Sequence, residues 1–413
     1  MAMHRTQPRH DAPLQQVDYD LHRLVGIRVI DASIADAATV ARQLGPLQKP
    51  LSGEPDIIIR FVDRLPGSSS LCYLGADDAG FTEEAFVLLQ GRVRAQIPFR
   101  QIGKQCEIVC ERGLHKVPLL IPIVNLTVLS KGALPLHASA FCYHGTGVLI
   151  AGWAKGGKTE TLLAFMAQGA VYIGDEWIYL SADGQQMYGL PERIRVWDSH
   201  LRELPRYRRR IDRGDRTRLR MLKLFIQLFE RRISSGSRQA SVMGRLIRLL
   251  KRQQFVLLQP QKLFGNRVAT LAGTPSKVFF VVSQHTDEVN VQPMDPQEVA
   301  RRMAASLQYE RLDFMSYYLK YRFAFPEARN EFIERACELE RDMLVKALAG
   351  KPAYVVYHPY PAPIPALFDA ISPLIGRAMA QGDQYGSGRS TAVSQWSCLG
   401  AKASLLAGVA ERE

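Results

Sequence analysis

The stretch "AGWAKGGKTETLLAFMAQGAVYIGDEW" (151–177) decides how the rest of the chain is read. Gly152-Trp153-Ala154-Lys155-Gly156-Gly157-Lys158-Thr159 satisfies the pattern G-x-x-x-x-G-K-[ST] in full. The spacing has a physical basis. Glycines let the backbone turn tightly enough to aim several N–H groups at one phosphate chain, and a helix opening at Lys158 adds about half a positive charge there. Lys158 would reach the β- and γ-phosphates, and the Thr159 hydroxyl would ligate Mg²⁺. Lys155 puts a further positive charge inside the loop. A chance match in a glycine turn is the bland alternative, and the context opposes it. "GVLIAG" before the loop has a strand pattern, and "KTETLLAFMAQ" after it has helical spacing at Leu162, Leu163 and Met166, with Gly169 where a C-cap would stand.

Working outward, "HASAFCYH" and "GVLIAG" predict a hairpin about Gly145-Thr146-Gly147. "AVYIGDEWIYL" predicts a strand, so that strand, glycine loop, helix and strand follow the βαβ grammar of an α/β nucleotide fold. Asp175 and Glu176 leave "VYIG" at the end that opens onto the ligand crevice of an α/β sheet, beside the loop if the two strands are neighbours. Adjacent carboxylates there could divide the work, one holding Mg²⁺ and the other taking a proton from an attacking hydroxyl. The plainer alternative is a Glu176 that faces solvent. Later, "KVFFVVS" (277–283) and "AYVVYHPY" read as strands, and "PQEVARRMAASL" and "EARNEFIERACELERDMLVKALAG" as amphipathic helices.

These residues resemble the HPr kinase/phosphorylase family, whose phosphate-loop domain is akin to that of PEP carboxykinase. "GGKTETLLAFMAQGA" is similar to the family's G-K-S-E-T-A-L-x-L-x-x-R-G segment, "IGDEW" stands where the family has an Asp-Asp pair, and "LHASA" places His137 in a strand ahead of the loop. The likeness is good over about 133–182 and looser to about 372. It implies ATP and Mg²⁺ as cofactors, phosphate binding by Lys158, metal binding by Thr159, and Asp175 as general base toward a hydroxyl, usually of serine. His137 would sit near that base; without the family it reads as a structural strand histidine. The family's I-R-G-L-G-I signature is missing, which leaves the phosphorylase direction and HPr as substrate outside the expectation. Its nearest substitute is "LPERIRVWD", where Glu192 would join Thr159, Asp175 and Glu176 at the metal, and Arg193 or Arg195 would meet the transferring phosphoryl. Relatives form homo-oligomers, and the resemblance extends that expectation here. No second His/Lys set supports a PEP-carboxykinase-like decarboxylation.

At 413 residues the chain can bury more than one core. The expected fold is α/β: a flexible arm over 1–16, a small β-rich N-terminal domain over 17–116, the HPr-kinase-like P-loop catalytic domain over 117–378 and a disordered tail over 379–413. "GIRVIDA", "PDIIIRFVD", "SLCYLG", "AFVLLQGRVRAQIPF" and "CEIVC" supply the N-terminal strands. The opening "MAMHRTQPRHDAPLQQ" has no apolar core, and the apolar run 117–129 is too short and too rich in proline to span a bilayer. Six scattered cysteines fit reduced thiols, so the expectation is a cytoplasmic protein. Cys106, Cys110 and His115 invite a zinc reading, but no second ligand pair follows, and core thiols are the default.

The net charge of +13 is local: residues 202–252 carry 17 Lys and Arg against 4 Asp and Glu, and the remainder balances at 36 each. Two amphipathic helices are predicted there. Leu222, Phe225, Ile226, Phe229 and Ile233 line a face of the first, opposite Lys223, Gln227, Glu230 and Arg231. Met243, Leu246, Ile247 and Leu250 oppose Arg245, Arg248 and Arg252 in the second. Three readings stay open: a solvated cationic face, a site for an acceptor peptide, protein or acidic small molecule, or attachment to a membrane surface or nucleic acid. Base-stacking aromatics and a recognised motif are lacking, which weighs against nucleic acid. The functional expectation is a kinase passing the γ-phosphoryl to a hydroxyl. The alternative is a nucleotide-binding interaction module with little catalysis.

Overall fold

Along "KVFFVV", Phe279 and Val281 pack into one core while Val278 and Phe280 pack into another. A strand buried on both faces needs no polar alternation, so its sequence is a continuous apolar run. In the computed structural model, which describes residues 15–66, 71–75, 78–90, 93–232 and 238–376, this strand lies inside a nine-stranded sheet.

The N-terminal part holds β1 (Gln15–Leu21), β2 (Val25–Ala32), α1 (Ile34–Leu44), β3 (Ile57–Val62), β4 (Ala79–Phe81), β5 (Phe86–Gln90), β6 (Val93–Ile97) and β7 (Cys106–Glu111). Its sheet runs β1-β2-β3-β7-β6-β5-β4, with β2, β3 and β7 parallel. Then come α2 (Leu120–Ser130), β8 (Leu134–Tyr143), β9 (Thr146–Gly152), α3 (Lys158–Ala167), β10 (Val171–Gly174), β11 (Trp177–Leu180), β12 (Met187–Gly189) and β13 (Ile194–Trp197). The basic segment forms α4 (Asp198–Glu203), α5 (Pro205–Arg208), α6 (Arg213–Arg232) and α7 (Arg238–Arg252), and β14 (Phe255–Leu258) returns to pair with β13. Last are α8 (Pro260–Phe264), β15 (Ala272–Gly273), β16 (Pro275–Ser283), β17 (Asn290–Pro293), α9 (Pro296–Glu310), α10 (Leu312–Ala324), α11 (Glu331–Leu348), β18 (Ala353–His358) and α12 (Ile364–Ile375).

The second sheet runs β15-β12-β11-β8-β9-β16-β18-β17, with β10 also on β8 and with β9, β16 and β18 parallel. Leu162, Phe165, Leu367 and Ile371 bring α3 and α12 to one face. Val299, Met303 and Leu344 bring α9 and α11 to the other. The architecture is therefore mixed α/β. The N-terminal sheet shares its core with helices from the far end of the chain: Phe99 stacks on Phe86 at 4.4 Å and meets Tyr321 at 5.0 Å and Tyr318 at 5.4 Å. The described residues all fall within one compact unit.

Several expectations are corrected. The N-terminal part contains helix α1, which the strand pattern did not announce; Ser33 caps it in a reciprocal box with Asp36. Among its described residues, "SLCYLG" contributes only an isolated bridge from Cys72 to Phe81. "AVYIGDEWIYL" is two strands, because both pair with β8 and the chain must turn between them. Strands β9 and β10 are parallel but not neighbours, since β8 lies between them. Gly169 does close α3: its φ is +98°, and the N–H of Ala170 donates to Phe165 O at 3.1 Å. Cys106 and Cys110 are core thiols; burial pushes Cys106 up to about 12 and Cys110 higher still, so neither is a ready metal ligand. The run 117–129 enters buried helix α2, and among the described residues no helix is long and apolar enough to cross a membrane. The expected arm lies outside the described residues except for Gln15 and Gln16, which begin β1, and the expected tail lies outside them from 379 on.

Asn330 ties the far helices to the N-terminal sheet. Its Oδ1 accepts from Phe332 N and Ile333 N as the cap of α11, and its Nδ2 donates to Phe99 O and Ile102 O at 2.8 Å each. Asn330→Ala removes the cap and two buried hydrogen bonds to the carbonyls of Phe99 and Ile102, of which Phe99 O keeps the Ile102 N–H, so urea unfolding should show a loss of about 2 kcal/mol. Asn330→Asp, which keeps the cap but turns a buried carboxylate oxygen on the two carbonyls, should lose at least as much at neutral pH.

Candidate functional site

Strands β9, β16 and β18 end together: Gly152 pairs with Val281, and Ser283 with His358. The carboxyl ends of parallel strands are where an α/β sheet opens. The glycine loop leaves β9 there and enters α3, whose first N–H groups have no partner inside the helix. Gly157 takes φ +104°, and a Cβ at this position would stand 2.5 Å from His358 Nε2, so only glycine fits. His358, buried, donates from Nε2 to Gly156 O at 2.8 Å and so braces the loop. Lys155 also adopts a positive φ, +60°. Ala154 is half-buried, while Trp153 is 46% exposed and its ring lies 4.8 Å from that of Tyr309 at the end of α9.

Lys158 is buried, and its Nζ donates to Gly152 O at 3.2 Å and Trp153 O at 3.0 Å. Burial lowers its pKa against the pull of Glu176, Asp175, Glu310 and Glu160. Thr159 Oγ1 donates to Asp175 Oδ2 at 3.0 Å. The Ser139 hydroxyl donates to the other oxygen of Asp175. Asp175 is 3% exposed; burial first, and then the charge of Glu176, push its carboxyl up to about 6. Glu176 has φ +72°, its peptide oxygen accepts the N–H of Ala138 at 3.1 Å, and its carboxylate reaches His137 Nε2 at 3.0 Å. The Glu176 side chain is 47% exposed, so it faces solvent in part; desolvation opposes its charge, but the hydrogen bond and charge of His137, with Lys158 and Arg195, hold its pKa below the ordinary value.

His137 stands between two carboxylates, with Nδ1 3.2 Å from Glu310 Oε1. Burial disfavours its cation, yet Glu176 and Glu310 outweigh that and raise its pKa. Glu192, half-buried, is pushed up to about 8 by burial and then by the charges of Glu176 and Asp175. At neutral pH it keeps its proton, so it would ligate a metal only after losing it.

The fold thus gathers His137, Lys158, Thr159, Asp175, Glu176 and Glu192 around the loop. Arg195 acts on Glu176 by charge while its guanidinium lies 4.7 Å over the Phe255 ring. Arg193 is exposed, and no hydrogen bond or ion pair among the described residues ties it to the cluster. Sequence reasoning missed Ser139, Glu160, His200, Glu310 and His358. Ser139 was within reach of it, since it shares a strand face with His137 two residues earlier. Glu160, in the first turn of α3, pairs with His200 Nε2 at 2.9 Å, and no local signal joins these two or marks Glu310. No family model and no curated protein matches the chain.

The raised Asp175 gives a stability test. The folded protein holds this proton more tightly than an unfolded chain at the ordinary 3.8, so Asp175 costs stability as pH rises through about 4 to 6 and keeps costing it above. Asp175→Asn should therefore be more stable than the parent by about 2 kcal/mol at pH 7.5, with the difference gone near pH 4. Denaturant unfolding at the two pH values reads this directly.

Proposed function

We propose that the chain is an ATP- and Mg²⁺-dependent kinase of the HPr-kinase-like kind, with Gly152–Thr159 as its P-loop. Its acceptor would be a hydroxyl, of serine type, on a peptide, protein or small molecule. One observation carries the reading: the hydroxyl that closes the glycine loop, on Thr159, lies 3.0 Å from the carboxylate of Asp175. Phosphate cradle and proton acceptor are thereby addressed to one point. MgATP supplies the group to be transferred and the cation that neutralises it.

The donor set suits that cation. Mg²⁺ takes one or two carboxylates and leaves its other positions to phosphate oxygens and water. No three His, Cys, Asp or Glu side chains among the described residues converge into a cage of their own. Thr159 and the ionised Glu176 would hold the metal, and the loop N–H groups with Lys158 would hold phosphate. Asp175, with its carboxyl near 6, is poised to accept the acceptor's proton at neutral pH and return it afterwards. His137 fixes Glu176 and keeps it charged. Arg195, and Arg193 beyond it, would face the open side where the acceptor arrives. Catalysis of this kind depends on positioning and charge neutralisation rather than covalent chemistry.

Label transfer from γ-labelled ATP, with phosphate adducts in a native extract read by mass spectrometry, tests the proposal. Lys158→Ala should abolish both MgATP binding and transfer. Asp175→Asn should bind MgATP normally in calorimetry yet transfer at least about 10³-fold more slowly. In the parent, kcat/KM should climb with pH through about 6 and then level, because Asp175 must be ionised to act. A flat calorimetric trace with MgATP would end the proposal. MgATP binding with no transfer to any acceptor would leave the nucleotide-binding interaction module in its place.

A further inference from the structure

On α6, Leu219, Leu222, Ile226 and Phe229 turn toward the protein, as the sequence pattern expects for the last three. Phe225 does not. With Met221, Leu224 and Leu228 it forms a second stripe at i, i+3, i+4 and i+7, exposed at 45, 45, 53 and 54% for Met221, Phe225, Leu224 and Leu228. Ile233, expected on the inner face, lies outside the described residues. On α7, Ile247 is buried, but Leu246 and Leu249 are exposed at 38 and 54%. A solvated cationic face would carry charge at such positions; these helices carry leucine, methionine and phenylalanine there.

Cations border the apolar stripes. By helical spacing Arg213, Arg220 and Lys223 flank Leu224 on α6, and Arg245 and Arg248 flank Leu249 on α7; all five are exposed. The acids are elsewhere. Asp215 falls on the far side of α6 from Leu224, Glu230 is paired with Lys251 at 2.9 Å, and α7 contains no Asp or Glu. Exposed apolar side chains bordered by arginine and lysine are what a helix needs to lie in the headgroup region of an anionic bilayer, with its leucines among acyl chains and its cations at lipid phosphates. Among the described residues no helix can span, so the arrangement is one of lying on the surface.

We propose that α6 and α7 dock this protein on an anionic membrane surface. The apolar stripe Met221–Leu224–Phe225–Leu228, with Leu246 and Leu249, enters the interface, and the flanking cations select acidic headgroups. The inference stands apart from the kinase reading and does not need it.

The full chain is to be sedimented with vesicles of phosphatidylcholine alone and with vesicles holding about a quarter phosphatidylglycerol, at low and high salt. Binding is expected to the anionic vesicles only and to weaken as salt rises. Leu224→Glu with Leu228→Glu should lower the bound fraction at least about tenfold, whereas Leu224→Met with Leu228→Met should retain it. Arg220→Glu with Lys223→Glu, which leaves the apolar stripe whole, should also release the protein. Circular dichroism melts check that each variant is folded. Absence of binding to anionic vesicles at low salt overturns the proposal, as does equal binding by the folded glutamate variant. So does a parent that ignores vesicles but either captures an acidic polypeptide or forms a dimer that Leu224→Glu dissolves.

Discussion

Strand β8 offers one outer edge to two strands, and the site depends on how the chain crosses between them. Strand β10 takes Ala140–Cys142 and β11 takes Leu134–His137. Asp175 and Glu176 must make the crossing opposite Ala138 and Ser139. Glu176 does so in the left-handed conformation at φ +72°, a cost of about 1 kcal/mol for a residue with a Cβ. The turn sends adjacent carboxylates in different directions, Asp175 to Ser139 and Thr159, Glu176 to His137. Because the inner edge of β8 pairs with β9, whose end is the glycine loop, the acids stand one strand away from it.

Electrostatics then separates the two acids. Asp175, Glu176, Glu192 and Glu310 share their surroundings with Lys158, His137 and the more distant Arg195. Negative charge is in surplus, and protons make up the difference. Asp175 rises to about 6 and Glu192 to about 8, while Glu176, touching His137, stays ionised. Groups of one chemical type forced to different protonation states by their neighbours are the usual basis for dividing acid and base roles.

The same region leads to the cationic helices. Glu192 and Arg195 stand at the start of the β13–β14 ribbon, and α4 to α7 fill the chain between its two strands. The ribbon is fixed by its pairing of Ile194–Trp197 with Phe255–Leu258 and by the Arg195–Phe255 contact. The excursion therefore returns to its own starting point. That allows a segment of unusual charge to be inserted without disturbing the register of either large sheet. The N-terminal sheet, by contrast, is held to the rest by burial, through Phe99 and the aromatics of α10.

Local chemistry fixed what could be read along the chain. The glycines, Lys158 and Thr159 announced a turn into a helix, "KVFFVVS" a strand covered on both faces, and Gly169 a helix end; each depends on neighbours within a few residues. The helical period also placed Leu222, Ile226 and Phe229 on one face of α6. It could not show that Phe225 and its companions would be left uncovered, because a stripe carries no record of what packs on it. Helix α1 was hidden for a like reason: its cap is legible, but its apolar face is short and surrounded by strand patterns. Asp175 and Glu176 were conspicuous as a pair, yet their different partners follow from the pairing of β8, a contact across some forty residues. Glu310 and His358 come to the loop from still farther away. The sequence by itself determined the loop, its helix and the type of each neighbouring element. Only the tertiary structure decided which charges face one another, since burial and charge pairing are properties of the assembled sheet and not of any segment.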